Sequence, residues 1–397
     1  MSGLFAALAL RSRGFDVEVF ERVADELAGR GAGIVAQPQI RQALGEIGIA
    51  ADCKLGVEIT HRRMFDATGC LLSQFTCPQT LTSWDHLYRI LRTAWPSDQY
   101  HRGMTLLRIE QDSDGVTAHF ADGSSRLADL LVGADGLRST VREQFLPDVM
   151  PLYAGYVAWR SLIAEAAVSD DTHDDLFDYL SFCLPAGEQA LGYPVSGPDN
   201  DLRPGHRRYN FVWYRPVDEE LRLKDLLTDR AGVTHSISIP PPLVRPDVIS
   251  SMRDAADRML APQFREVVHL SAQPFLQPIY DLAAPRLAFG RVLILGDAAF
   301  VARPHVAVGV AKAADDAVAL AHALDAHPGP DGNIDAALRH FEHARLGVGH
   351  RIIERARHLG AYLQARLRTP EEHGFAKAHH TPEAVIRETA MVDFLYQ

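Results

Sequence analysis

GDAAFVARPHVAVGVAKAADDAVALAHAL, residues 296–324, sets out a strand end, an aspartate, a proline-containing loop, a glycine and an alanine-rich helix in one run. The apolar run RVLILGD, residues 291–297, reads as a buried parallel-type strand ending on Asp297. The helix is predicted to start at Gly309, where free backbone amides and the positive dipole end can stabilise an anionic group. Pro304 and His305 lie in the connecting loop, and Val310 opens the helix behind Gly309. A glycine at that point lets backbone approach a flat ring closely.

Two other segments share this plan. SGLFAALALRSRGFDVEVFER, residues 2–22, reads as a helix stopped by Gly14, then a short strand ending on Glu21. ADLLVGADG, residues 128–136, reads as a strand ending on Asp135, with a helix following from Leu137. Ligands of open α/β sheets gather at the carboxyl ends of parallel strands, and an acid there accepts hydrogen bonds from a ribose diol. Glu21, Asp135 and Asp297 therefore form a candidate set, although each alone is equally a turn or cap residue. The glycine-rich turn that opens such a βαβ unit would precede residue 1, and only Gly3 overlaps its end. Met1 thus reads as an internal methionine of a longer unit, with the first strand missing.

The remaining texture divides the chain. Trp84–Ala94 reads as a helix and residues 104–126 as a β-meander. From 152 to 284 aromatic strand-like segments dominate, with a helical stretch near 245–268. We expect an α/β chain: a Rossmann-like dinucleotide-binding part at 1–151, an inserted β-sheet-rich substrate domain at 152–284, a second Rossmann part with a long helix at 285–367, and a tail at 368–397.

Composition narrows the class. The net charge of −11, without a basic run, argues against nucleic acid. No apolar run reaches membrane-spanning length, and Leu4 to Leu10 lacks the flanks of a signal peptide. Four scattered cysteines without a C-x-x-C pair fit a reducing, cytoplasmic setting and give no metal site. His340 and His343 have a ligand-like spacing but no evident third ligand.

VEVFER, GRGAGIV, TSWDHLYRILR, LLVGADGLRSTVR, YAGYVAWRS, RRYNFVWYR and the 296–317 block together resemble the class A flavoprotein aromatic hydroxylases, the para-hydroxybenzoate hydroxylase-like group. Within it they are most similar to 2,6-dihydroxypyridine 3-monooxygenase-like enzymes. The resemblance implies FAD as cofactor, NAD(P)H and O2 as co-substrates, and a flavin C4a-hydroperoxide that hydroxylates a small phenolic or hydroxypyridine ring. By motif position it implies Glu21 at the adenosine ribose, Arg22 among the cofactor-binding residues, and Arg30 and Arg89 near the flavin and its phosphates. It further implies Asp135 in FAD and nicotinamide use, Asp297 at the ribityl and pyrophosphate end, and Pro304, Gly309 and Val310 beside the isoalloxazine ring.

His305 is the leading candidate for a base or proton relay, with Tyr214, then Tyr193 and Tyr156, as alternatives; a packing role is the competing reading for each. Arg207 and Arg208 could meet an acidic substrate group. A flavin oxidase or epoxidase on the same scaffold, or an inactive FAD-free truncated form, remain alternatives. Homodimerisation is common among soluble enzymes and is left open.

Overall fold

The computed structural model describes residues 1–27, 33–49, 54–327, 334–363, 367, 369–378 and 381–395. It has the expected α/β character, with one large sheet beside several small ones. The helix Ser2–Arg11 is apolar on all sides, so it is buried on all sides: Leu4 through Leu10 are each under a tenth exposed. Gly14 terminates the turn with a φ of +87°, a conformation only glycine adopts cheaply. The helix packs on Gly309–Asp325, and both join the largest apolar cluster, with the strand Val292–Ile294 at its centre. Each fully buried Leu or Phe there contributes about 1.5–3 kcal/mol.

Outside the large sheet, whose strands Tyr179–Cys183 and Val57–Phe65 also pair in parallel, the parallel strands come in two separate pairs. Val19–Glu21 pairs with Tyr100–Arg102, and Leu131–Gly133 pairs with Val292–Ile294. The meander is present as Leu106–Gln111, Val116–Phe120 and Ser125–Ala128.

The nine-stranded sheet runs in the order Phe300–Val301, Phe275–Ala283, Leu152–Ala164, Arg208–Pro216, Gln189–Val195, Tyr179–Cys183, Val57–Phe65, Leu71–Ser83, Gly33–Val35. It is not confined to 152–284. Four of its strands come from outside that segment, so the dinucleotide-binding part and the sheet are woven together. One face packs on the helices Pro246–Met259 and Pro262–Leu270. The other carries Tyr156, Tyr193 and Tyr214 and is covered by the C-terminal helix Pro382–Glu388. Arg62, fully buried on that face, donates to the carbonyls of Ile386 and Thr389 at 2.7 and 2.8 Å, caps the helix end and ties the tail to the sheet.

The long helix Ile334–Gly360 lies against the loop after Asp297. A β-carbon on Gly349 would stand 2.2 Å from the buried ring of Phe300. Ala gains up to about 1 kcal/mol of helix propensity, but overpacking a core costs about 1–3 kcal/mol. Gly349→Ala should therefore destabilise the protein by about 1–2 kcal/mol; an unchanged urea midpoint would show that this contact yields freely.

Candidate functional site

The acid-tipped strand ends converge. The backbone at Met1 lies against two of them: burial lowers its amine, while the charges of Asp297 and Glu21 raise it. Gly3 sits beside the loop of the third, since a β-carbon there would touch Ala134 at 3.5 Å. Arg142 ties the last two together. Its buried guanidinium donates to Leu137 O, two residues after Asp135, at 2.6 Å and to Ala298 O, next to Asp297, at 2.9 Å. Asp135 accepts from the Val141 amide at 3.2 Å with Oδ2, whereas its Oδ1 is buried without a partner among the described residues. Glu21 accepts from the Val23 amide at 2.9 Å.

Asp297 is accessible to solvent, yet protein crowds it from most directions. That crowding raises its carboxyl, Lys312 and the Met1 amine pull it down, and Asp316 pushes it up. A carboxylate at the wall of a groove is open on one side only. Lys312, buried in the first turn of Gly309–Asp325, stands 3.7 Å from Asp316. Asp316 accepts from the Gly296 amide at 3.0 Å and from Arg345 at 2.8 Å, which fixes the turn that presents Asp297. Space around Gly309 is open, with no heavy atom within 4 Å of an added β-carbon.

The loop leading to Gly309 turns through Pro304–Val306 and places Ala307 at a φ of +51°. This buries His305 against the sheet. Its Nε2 lies 2.8 Å from the Tyr156 hydroxyl, and its ring centroid is 4.6 Å from that of Tyr214. Burial, then the charges of Arg303 and Arg160, lower the imidazole from 6.5 to about 3, so it is neutral at physiological pH. A group so lowered is a poor proton base and suits hydrogen bonding or relay better. Behind it, the fully buried Asp281 accepts from the buried Arg303 at 2.8 Å and from the partly exposed Arg357 at 2.7 Å.

Other candidates are occupied or stand apart. Arg89 pairs with Asp85 at 3.1 Å and Asp199 at 3.7 Å on the surface. Arg22 is exposed, and Arg30 lies outside the described residues. Arg207 is held by Glu165 at 2.6 Å and so is not free for a substrate acid, whereas Arg208 gives only its Nε–H to the Ser196 carbonyl at 3.0 Å. Among the described residues no three metal-ligating side chains come together, and no helix is long and apolar enough to cross a membrane. Sequence reasoning passed over Arg142, Lys312, Arg303 and Asp281. Arg142 alone was signalled, standing seven residues after Asp135 in a run already recognised as distinctive.

An acid-tipped parallel strand feeding a helix through an open glycine turn, beside a large aromatic-faced sheet, defines a flavin-binding fold. Two family models agree: FAD binding domain-like matches residues 153–281, and FAD binding domain matches residues 249–357. The chain is 34% identical to 2,6-dihydroxypyridine 3-monooxygenase of Paenarthrobacter nicotinovorans, over 92% of this chain and 89% of that protein. It is 30% identical to 3-amino-4-hydroxybenzoate 2-monooxygenase of Streptomyces cremeus, over 90% of this chain and 84% of that one. The solved 2,6-dihydroxypyridine-3-hydroxylase of Arthrobacter nicotinovorans superposes with a TM-score of 0.85 at 33% identity, over 92% of this chain and 90% of that one. The chain belongs to the FAD-dependent monooxygenases that hydroxylate aromatic rings.

The residues present fit FAD. The unpartnered Asp135 Oδ1, the accessible carboxylate of Asp297 and the open amide turn at Gly309 are what a ribityl-pyrophosphate chain and a flat ring require. Asp297→Ala should weaken FAD retention about tenfold or more, the scale of one charge-assisted hydrogen bond; flavin absorbance per protein equal to the unaltered protein would remove Asp297 from the site.

The buried imidazole also sets an acid limit. Below pH 6.5 the unfolded chain takes up a proton at His305 that the folded chain refuses until about pH 3, so stability falls progressively across that window. By pH 5 the loss is about 2 kcal/mol. His305→Asn should lose less thermal stability between pH 7 and pH 5 than the unaltered protein; parallel curves would contradict this.

Proposed function

We propose that this monooxygenase hydroxylates a small phenolic or hydroxypyridine ring held between the tyrosine face of the large sheet and the loop at His305. The observation that carries the reading is the continuity of the Asp297–Gly309 loop with His305: the segment fitted to the flavin is the one that walls the aromatic site. The names of the two relatives above support the ring class. FAD, when bound, draws electrons from NAD(P)H and activates O2 for transfer to the ring.

The chain's own residues would hold, orient and shield. Glu21 suits the adenosine ribose, Asp135 and Asp297 the ribityl-pyrophosphate stretch, and the amides at Gly309 and Val310 the ring system. Tyr156, Tyr193 and Tyr214 present a buried apolar wall that excludes water. Burial raises all three phenols, so they remain protonated donors. The His305–Tyr156 bond fixes the imidazole beside that wall. Cys70, Cys77 and Cys183 are all free, which supports work in a reducing cytoplasm.

The test is consumption of NADH and NADPH by the FAD-loaded protein in the presence of 2,6-dihydroxypyridine, other hydroxypyridines and phenols. We expect at least one ring to stimulate consumption and to yield a product heavier by one oxygen atom. Stimulated consumption yielding only hydrogen peroxide would favour an oxidase, and no stimulation by any ring would refute the reading.

A further inference from the structure

The face that carries the three tyrosines also carries a cation, Arg160, with no ion-pair partner among the described residues. Arg160 follows Tyr156 by four residues on the strand Leu152–Ala164, so both side chains share a face. Across the strand pair, Ala158 stands opposite Tyr214, Arg160 opposite Val212 and Leu162 opposite Asn210. Arg160 makes no ion pair among the described residues, and its Nε is buried without a hydrogen-bond partner. Its charge is felt by Tyr193, Tyr214 and His305, which places the guanidinium among them.

Other donors around it are equally unanswered. Asn210 accepts from the Gly33 amide at 2.9 Å through Oδ1, which fixes the amide's orientation and leaves Nδ2 buried without a partner. His305 Nδ1 and Arg303 Nη2 are also buried and unpartnered. The tautomer of His305 follows from its neighbours. Tyr156 remains a phenol because burial raises it, and the Arg303 guanidinium faces its oxygen. The hydroxyl proton therefore points at Nε2, and a neutral imidazole accepting there carries its own hydrogen on Nδ1. Asp281 is already shared by Arg303 and Arg357, so that trio has one surplus positive charge before Arg160 is added. Buried N–H donors without acceptors, one of them the Nε of the half-buried Arg160 guanidinium, are costly to leave so; a ligand oxygen bearing negative charge would satisfy them together.

We propose that Arg160, helped by His305 Nδ1–H and Asn210 Nδ2, is the specificity-determining seat for an anionic oxygen on the ring substrate. The oxygen belongs either to a carboxylate substituent or to an ionised ring hydroxyl. In the second case the O–H bond breaks, its electron pair stays on oxygen, and the proton leaves to water. The seat rests on the ring-hydroxylase reading for its ligand, but it makes a separate demand: an anionic ring must outbind its neutral counterpart.

Calorimetric binding to the FAD-loaded protein tests this with two matched pairs: benzoate against benzamide, and 4-nitrophenolate against 4-nitroanisole. At least one anion should bind about tenfold or more tightly than its neutral partner, the scale of one charge-assisted hydrogen bond. The pair that shows the preference identifies carboxylate or ring oxygen as the source. Arg160→Gln should abolish the preference while keeping flavin content, and Arg160→Lys should retain part of it. A merely structural arginine would weaken both members of a pair alike. Equal binding of anion and neutral ring, or an undiminished preference in Arg160→Gln, would overturn the seat. Should Arg160→Gln fail to fold, the anion preference of the unaltered protein and its reduction in Arg160→Lys decide the matter. Anion preference without any ring-stimulated NAD(P)H consumption would leave the seat standing and sink the hydroxylase reading; the converse result would do the opposite.

Discussion

The carboxylate of Asp281 holds the site together. It is fully buried at the end of a sheet strand, and it grips Arg303 from the flavin-side loop and Arg357 from the long helix. Burial alone would raise this carboxyl, but the two guanidiniums hold it below its ordinary value, so it stays ionised. Removing the carboxylate would leave the buried Arg303 guanidinium uncompensated, a penalty of about 3–5 kcal/mol. The loop from Asp297 to Gly309 thus has one position relative to the sheet. Arg303 faces Tyr156, Tyr156 bonds His305, and His305 lies against Tyr214.

In the proposed site, that chain of contacts lets one loop face two ligands. Its first residues present Asp297, held by Lys312, Asp316 and Arg345 beneath. Its last residues open the amide turn at Gly309. Between them, His305 turns the other way, onto the tyrosine face. The C-terminal segment closes the arrangement, because the Ala390 amide donates to the His305 carbonyl at 2.8 Å and Gln37 donates to the Ala390 carbonyl at 3.1 Å. Flavin side, ring side and tail are therefore mechanically linked through backbone as well as side chains.

Much of this was legible in the sequence where the signal is local. Trp84–Ala94 forms with the expected bounds because Ser83 caps it, accepting from the His86 amide at 3.1 Å, and because Leu87 and Leu91 repeat on one face. Gly309 starts its helix, and Gly14 stops one, for reasons visible in single residues. Non-local pairing was not legible. Nothing in Val57–Phe65 or Gly33–Val35 states that they extend a sheet whose centre lies more than a hundred residues later. The tail was unassignable because its anchor, Arg62, is more than three hundred residues away in sequence. Arg89 has the residue type for a phosphate partner, yet Asp85, one helical turn before it, already occupies it. The surroundings of His305 decide its protonation, and no spacing rule reveals that a histidine will face two arginines in a dry site.

In the proposed function the flavin groove and the tyrosine face are one connected site. The most direct test is the flavin difference spectrum of the FAD-loaded protein titrated with an aromatic ligand whose binding is followed independently by tryptophan fluorescence. We expect a saturable perturbation of the flavin bands with the same midpoint as the fluorescence change. A ring that saturates the fluorescence signal and leaves the flavin spectrum untouched would place the two ligands in separate sites and contradict the account.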